Sequence, residues 1–351
     1  MSTPLLQTKL YIPHSQPNLI SRPRLIKHLE DGLSRKLTLV SSPAGFGKTT
    51  LLSEWIHKCG RSAAWISLDQ GDNDPSRFLK YFITALQKNE AEIGEGILSA
   101  LQSSQHPKTD ILLTGLLNDI TEMTQPFIIV LDDYHVITEP TIQEMLSFIL
   151  ENQPPQIHLV ISSRADPPWP LARLRVRGEL AEIRTRDLRF TTDEAATFLN
   201  NVMGLKLSPQ EVALLEGLTE GWIAGLQMAA LSMRGRKDVS GFIESFSGSH
   251  RFILDYLVEE VLDQQSHTIQ EFLLKTSILE SLNGPLCDAV TDREDSQMTL
   301  TQLEQANLFL VPLDNERRWH RYHHLFADLL RIHLEHTQPE HTPTLHRRAS
   351  E

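Results

Sequence analysis

The stretch Ser42-Pro43-Ala44-Gly45-Phe46-Gly47-Lys48-Thr49 limits what this chain can fold into more than any other feature of it. It follows the short apolar run Leu37–Ser41 and precedes a helical pattern over 49–58. A glycine-rich turn between a strand and a helix, closed by Gly-Lys-Thr, has the spacing of a Walker A phosphate loop. Ser42 stands where the pattern's first Gly belongs, while the phosphate-facing end, Gly47-Lys48-Thr49, is intact. Gly45 and Gly47 allow torsions and a close approach that a side chain would obstruct. Together with Ala44 they let backbone N–H groups converge at the start of a helix, whose dipole adds to the attraction for an anion. Lys48 is expected to reach the β- and γ-phosphates and Thr49 to ligate Mg2+, with Thr50 placed for the α-phosphate. The expected ligands are therefore ATP or ADP with Mg2+. The plain alternative is a glycine turn capping a surface helix.

Apolar runs separated by helical patterns extend this reading. Ala63–Leu68, Phe127–Leu131 (FIIVL), Ile157–Ile161 (IHLVI) and Leu180–Ile183 read as further strands. Near-continuous apolar strands of this kind belong to a parallel sheet covered on both faces. Helices are expected over 21–32, 75–86 and 111–123, the second with Asp74 as its cap and Pro75 in its first turn. The stretch 89–108 is polar and poorly patterned. After about residue 190 helical patterns dominate, at 192–200, 208–216, 222–232, 251–263 and 267–275. Leu308–Leu313, Asp314-Asn315 and Trp319–Tyr322 then resemble a small hairpin, followed by an amphipathic helix over 323–333. Helices followed by a hairpin are compatible with a winged helix. No repeat at a solenoid period occurs.

Asp132-Asp133 follows FIIVL directly. A carboxylate at a rigid strand end can support a metal shell, so Asp132 is the expected Walker B residue, acting on Mg2+ through water. Asp133 could orient or activate an attacking water, although the usual base there is the longer Glu. A polar strand exit is the bland alternative. Arg164 closes LVISSR at the end of another strand. Parallel strands present their ends on one crevice, so Arg164 can point at a γ-phosphate as a sensor or stabilise transferred charge. A surface loop arginine is its plain alternative.

Composition excludes other classes. Lys and Arg number 33 against 45 Asp and Glu, a formal net charge of -12, which disfavours binding a polyphosphate backbone over the whole surface. Cys59 and Cys287 fit neither a disulfide framework nor a CxxC pair. No cationic leader precedes an apolar run, so a cytoplasmic, reduced setting without membrane contact is expected.

These residues and their surroundings resemble the ATPase module of the signal-transduction ATPases with numerous domains (the STAND class), and within it the large ATP-binding LuxR-family regulators of the maltose-regulon type. The resembling segments are LLQTKLYIP, RPRLIKHL, SPAGFGKTTLL, AAWISLDQGDNDPSRFLKYFITAL, FIIVLDDYHVI, HLVISSRADPPWPLARLRVRGEL, LRFTTDEAATFL, TEGWIAGLQMAAL and WHRYHHLFADLLRIHL. They span nearly the whole chain, in order. The resemblance implies an α/β P-loop nucleotide-binding domain with a parallel sheet over 1–190, including an N-terminal adenine-side segment. It further implies a helical subdomain over 191–250, a winged-helix subdomain over 251–335, and over 336–351 the start of a following helical region, cut short.

By residue, the resemblance implies that Arg22 packs by the adenine and ribose. The segment Gly221–Leu226 borders the base, with Ile223 where the family has Pro and Trp222 able to stack. His323, with His324 as the alternative, would contact the β-phosphate; a polar pair opening the last helix is the plain alternative. The implied function is a regulatory switch: slow hydrolysis of ATP controls self-association of a transcriptional regulator, and an inducer or partner protein biases it. DNA binding would belong to a later part of the protein. A scaffold that holds nucleotide without hydrolysing it, or a small-molecule kinase using the same loop, are the rival expectations.

Overall fold

The computed structural model describes residues 4–14, 19–102, 108–234, 238–244, 246 and 250–350. The parts of the sequence reading that fall on 1–3, 15–18, 103–107, 235–237, 245, 247–249 and 351 lie outside the described residues. The chain divides into two units, one of residues 1–42 and 47–188, the other of 43–46 and 189–351.

The first unit is a parallel α/β sheet. In chain order its elements are α1 (Pro23–Gly32), β1 (Leu37–Ser41), α2 (Lys48–Lys58), β2 (Ser62–Ser67), α3 (Pro75–Gln87), α4 (Glu95–Gln102) and α5 (Thr109–Thr121). They continue with β3 (Phe127–Asp132), α6 (Pro140–Glu151), β4 (Ile157–Ser163), α7 (Leu171–Val176), β5 (Leu180–Arg184) and α8 (Thr185–Leu188). Every described pairing in this sheet is parallel, in the strand order β2-β3-β4-β1-β5. β1, β3 and β4 are buried along their whole length, as strands covered on both faces must be, which is why they read as mainly apolar runs. Their side chains pack with Phe78, Phe82, Leu116 and Leu146 in one core.

Local signals explain the helix starts. The Asp74 side chain accepts from the Arg77 N–H, with Pro75 in the first turn of α3. The stretch read as unpatterned contains α4, a helix that the polar flanks of 89–108 hide. The sequence reading left 140–151 unassigned, yet α6 forms there on Pro140 at its first turn and five buried apolar residues, Ile142, Met145, Leu146, Ile149 and Leu150.

The second unit is mostly helical: α9 (Thr192–Ala196), α10 (Pro209–Thr219), α11 (Ile223–Met233), α12 (Val239–Glu244) and α13 (Arg251–Leu257). α9 and α13 each run on into a π-helical turn, at Thr197–Val202 and Val258–Leu262. Then come α14 (His267–Thr276), α15 (Gly284–Thr291), α16 (Ser296–Gln305), β6 (Leu310–Pro312), β7 (His320–Tyr322), α17 (His324–Thr337) and α18 (Thr342–Ser350). α14, α15, α16 and the antiparallel β6–β7 hairpin follow in the order of a winged helix, helices and then a hairpin, as the terminal pattern suggested. α15 and α16 are additions to the sequence reading. No described helix is long and apolar enough to cross a membrane.

Candidate nucleotide site

Strand order brings the chemistry of the first unit together. β4 lies between β1, which leads into the phosphate loop, and β3, which ends in Asp132. Two serines at the end of β4 serve both neighbours. The Ser163 carbonyl accepts the Ser42 N–H at 3.3 Å, and the Ser162 hydroxyl donates to Asp132. In the sequence LVISSR reads as a strand leading to Arg164, and that pattern gives these serines no role. Two adjacent hydroxyls at the end of a mainly apolar strand were the available signal.

Gly45 and Gly47 adopt positive φ of 78° and 75°, the left-handed region where a Cβ is strained, and Gly47 is the N-cap of α2. Lys48 follows at the first helical position. Its side chain is only 7% exposed and its ammonium donates to the Ser42 carbonyl at 2.8 Å. Burial pushes the Lys48 pKa down to about 8; Asp133 and Asp132 work against that and Arg164 works with it. Thr49 donates to both carboxylate oxygens of Asp132, at 3.1 and 2.9 Å. Burial and the neighbouring Asp133 charge raise the Asp132 carboxyl to about 6, against the hydrogen bonds from Ser162 and Thr49. Asp133 is half-buried, with φ 57°, and begins the turn Tyr134–Val136.

That turn holds a residue absent from the sequence reading. His135 Nδ1 lies 3.8 Å from Asp133 Oδ1. Burial, then Arg164 and Lys48, press the His135 pKa down to about 3, which keeps the imidazole neutral. In the sequence His135 stands within FIIVLDDYHVI, two positions after the acidic pair, but nothing in that spacing marks it. Only the turn folds it back toward the cations. Lys48, Thr49, Asp132, Asp133, Arg164 and His135 thus share one electrostatic neighbourhood.

Two other expected residues sit differently within the first unit. Arg22 is the N-cap of α1 and buried, and one of its Nη donates to the Leu188 carbonyl at 2.7 Å. Thr50 is exposed on α2.

In the second unit, Trp222 is wholly buried, and its indole N–H donates to the Ala44 carbonyl at 3.0 Å. Tyr256, Phe309 and His323 surround it, at ring distances of 5.7, 5.3 and 6.0 Å. Ile223 occupies the first turn of α11, where Pro is also accommodated, so the helix starts there despite the change. His323 is the N-cap of α17 and 2% exposed. Burial lowers its pKa to about 4, so it is neutral, and the proton on Nε2 is donated to the Thr219 carbonyl at 2.9 Å. His324 is exposed, with Nε2 3.5 Å from Glu220.

The first-unit group fits magnesium and a nucleotide. A hydroxyl beside a buried carboxylate is a hard-oxygen pair suited to Mg2+, and a buried ammonium beside a glycine loop suits an anion.

Comparison with known proteins bears on this. Residues 258–342 match the family described as MalT winged helix domain, and residues 17–164 match the N-terminal region of Nephrocystin 3. The chain is 36% identical over 354 residues to the HTH-type transcriptional regulator MalT of Serratia proteamaculans (strain 568), covering 99% of this chain and 38% of that protein. It is 34% identical over 336 residues to the serine/threonine-protein kinase PknK of Mycobacterium tuberculosis (strain ATCC 25618 / H37Rv), covering 95% of this chain and 30% of that one. The chain therefore spans well under half the length of these curated relatives. In fold it is similar to the Walker-type ATPase PABY2304 of Pyrococcus abyssi, with a TM-score of 0.59 at 16% identity, covering 91% of this chain and 97% of that one.

Proposed function

Since the chain belongs with the MalT-type transcriptional regulators and carries their winged-helix domain, we propose that it is a nucleotide-dependent switch module that binds ADP or ATP with Mg2+. The observation that carries the reading is the buried Lys48 ammonium on the glycine loop beside the Thr49–Asp132 pair. Magnesium, when bound, neutralises phosphate charge. Thr49 and Asp132 would hold it, while Ala44, Gly45, Gly47, Lys48 and Thr50 would receive the phosphates. Arg164 would distinguish ATP from ADP, and Asp133 would orient a water for slow hydrolysis. Arg22 would support the base side. Trp222 and His323 belong to the same proposed set within the second unit.

In the whole regulator the nucleotide state would control self-association under an inducer or partner protein, in the cytoplasm. DNA binding would fall to a region outside this segment. We divide the module as a nucleotide domain over 1–190, a helical subdomain over 191–250, a winged helix over 251–335 and the start of a further helical region over 336–351. Titration with MgADP and MgATP tests the reading, and absence of affinity for both removes it.

One observation favours a second reading. The acid after Asp132 is the short, half-exposed Asp133, where a longer Glu is the usual base. A scaffold that holds nucleotide with negligible turnover would need no better base. Phosphate release above the level of a Lys48→Ala variant excludes it.

A further inference from the structure

The middle of the phosphate loop, Pro43–Phe46, groups by its contacts with the second unit. Two backbone carbonyls are taken up there. The Ala44 carbonyl accepts from the Trp222 indole, and the Gly45 carbonyl accepts the Ala224 N–H, each at 3.0 Å. A trans peptide is planar and sets its C=O and N–H in opposite directions. Fixing the Ala44 carbonyl therefore aims the Gly45 N–H away from Trp222, and fixing the Gly45 carbonyl aims the Phe46 N–H away from Ala224. Those are amides of the kind a phosphate cradle needs.

The approach is close. A Cβ on Gly45 would lie 2.6 Å from the Ala224 Cβ and 2.7 Å from the Trp222 indole nitrogen. Phe46 completes the anchor: it is 1% exposed, and its ring lies 6.4 Å from Phe309. Phe309 also packs edge-on to Trp222 and holds a positive φ of 52°, an unusual conformation for an aromatic residue and costly unless its surroundings enforce it.

We propose that Phe46, the Trp222 indole and the Ala224 amide are the positioning groups of the phosphate loop, turning the Gly45 and Phe46 N–H groups outward as donors for the phosphates of a nucleotide. The inference rests on the nucleotide reading above and adds how the loop's donors are aimed. Trp222 acts on the ligand through the loop backbone rather than by stacking.

The test is a titration of the full chain with MgADP, alongside thermal midpoints without nucleotide. Trp222→Phe keeps an aromatic ring and deletes one donor; affinity should fall about threefold to tenfold, the worth of one neutral hydrogen bond. Phe46→Ala should weaken binding about tenfold or more, because only the fraction of molecules with an ordered loop is competent. Phe46→Leu should restore most of the affinity. Phe82→Leu, in the core of the first unit, should lower the midpoint with wild-type affinity. Wild-type affinity in both Trp222→Phe and Phe46→Ala overturns the positioning role while leaving the nucleotide reading standing. A wild-type chain that does not bind MgADP removes both. Should Phe46→Ala fail to fold, Trp222→Phe decides the matter alone.

Discussion

Lys48 shows how much one side chain can carry. Its ammonium is buried, donates to the Ser42 carbonyl, and sits with two carboxylates and Arg164 in its field. A charged donor on a phosphate is worth roughly 1.5–3 kcal/mol. Lys48→Ala should therefore weaken MgADP about tenfold to a hundredfold in a calorimetric titration, and an unchanged constant would mean the loop is misassigned. Arg164 should behave differently, because its proposed contact is to the γ-phosphate alone. Arg164→Ala is expected to weaken MgATP about tenfold while MgADP changes little, so equal losses for the two nucleotides would remove its sensor role. Asp132→Asn should act mainly through the metal, with a loss of nucleotide affinity that shrinks when Mg2+ is withheld; an undiminished loss would contradict the ligand assignment.

At the scale of elements, the C-terminal end of α10 is tied to both the linker before α9 and the β7–α17 junction. Glu220, at φ 50°, receives Arg321 through two hydrogen bonds of 2.7 and 2.9 Å and Arg189 through one of 3.1 Å. Next to it the Thr219 carbonyl accepts a hydrogen bond from His323 Nε2. Burial by itself would raise the Glu220 carboxyl, but the bonds from Arg321 and the nearby positive groups outweigh it and hold the pKa at about 2. A depressed carboxylate stabilises the fold above its unfolded pKa and loses that contribution as pH falls through the folded value. Glu220→Gln should thus destabilise the second unit by about 3 kcal/mol near neutral pH, the scale for breaking a buried ion pair. The gap to wild type should narrow as pH drops from 4.5 toward about 2. Chemical denaturation at several pH values reads it, and a pH-independent gap would show that the carboxylate's charge contributes nothing.

At the scale of the whole molecule, the proposed switch is tested by association. MalT-type relatives extend well beyond the region matched here, which covers 38% of the Serratia protein. If nucleotide state governs assembly, light scattering of the complete regulator should show a larger mass with MgATP and inducer than with MgADP. Lys48→Ala should abolish the difference. Equal masses under all these conditions would leave a nucleotide-binding module without the proposed switch.

Much of this was legible in the chain itself. FIIVL, IHLVI and the run before the loop are mainly apolar because strands buried on two faces have no solvent side to mark, and they appear as β3, β4 and β1. Gly-Lys-Thr after a strand announced the loop because its chemistry depends on neighbours in sequence. Asp132 could be picked out for the same reason: a carboxylate at the end of a buried strand is a local feature. The rest depends on which strands lie side by side. Ser162 matters because β4 falls between β1 and β3, and His135 because a turn begun by Asp133 at positive φ folds it toward Lys48 and Arg164. Trp222 and Phe46 both pack on Phe309 across separations in sequence that no periodicity spans. Sequence patterns report each residue's relation to its own strand or helix, whereas hydrogen bonds and electric fields act through space, so only the tertiary structure decided which of these groups act on one another.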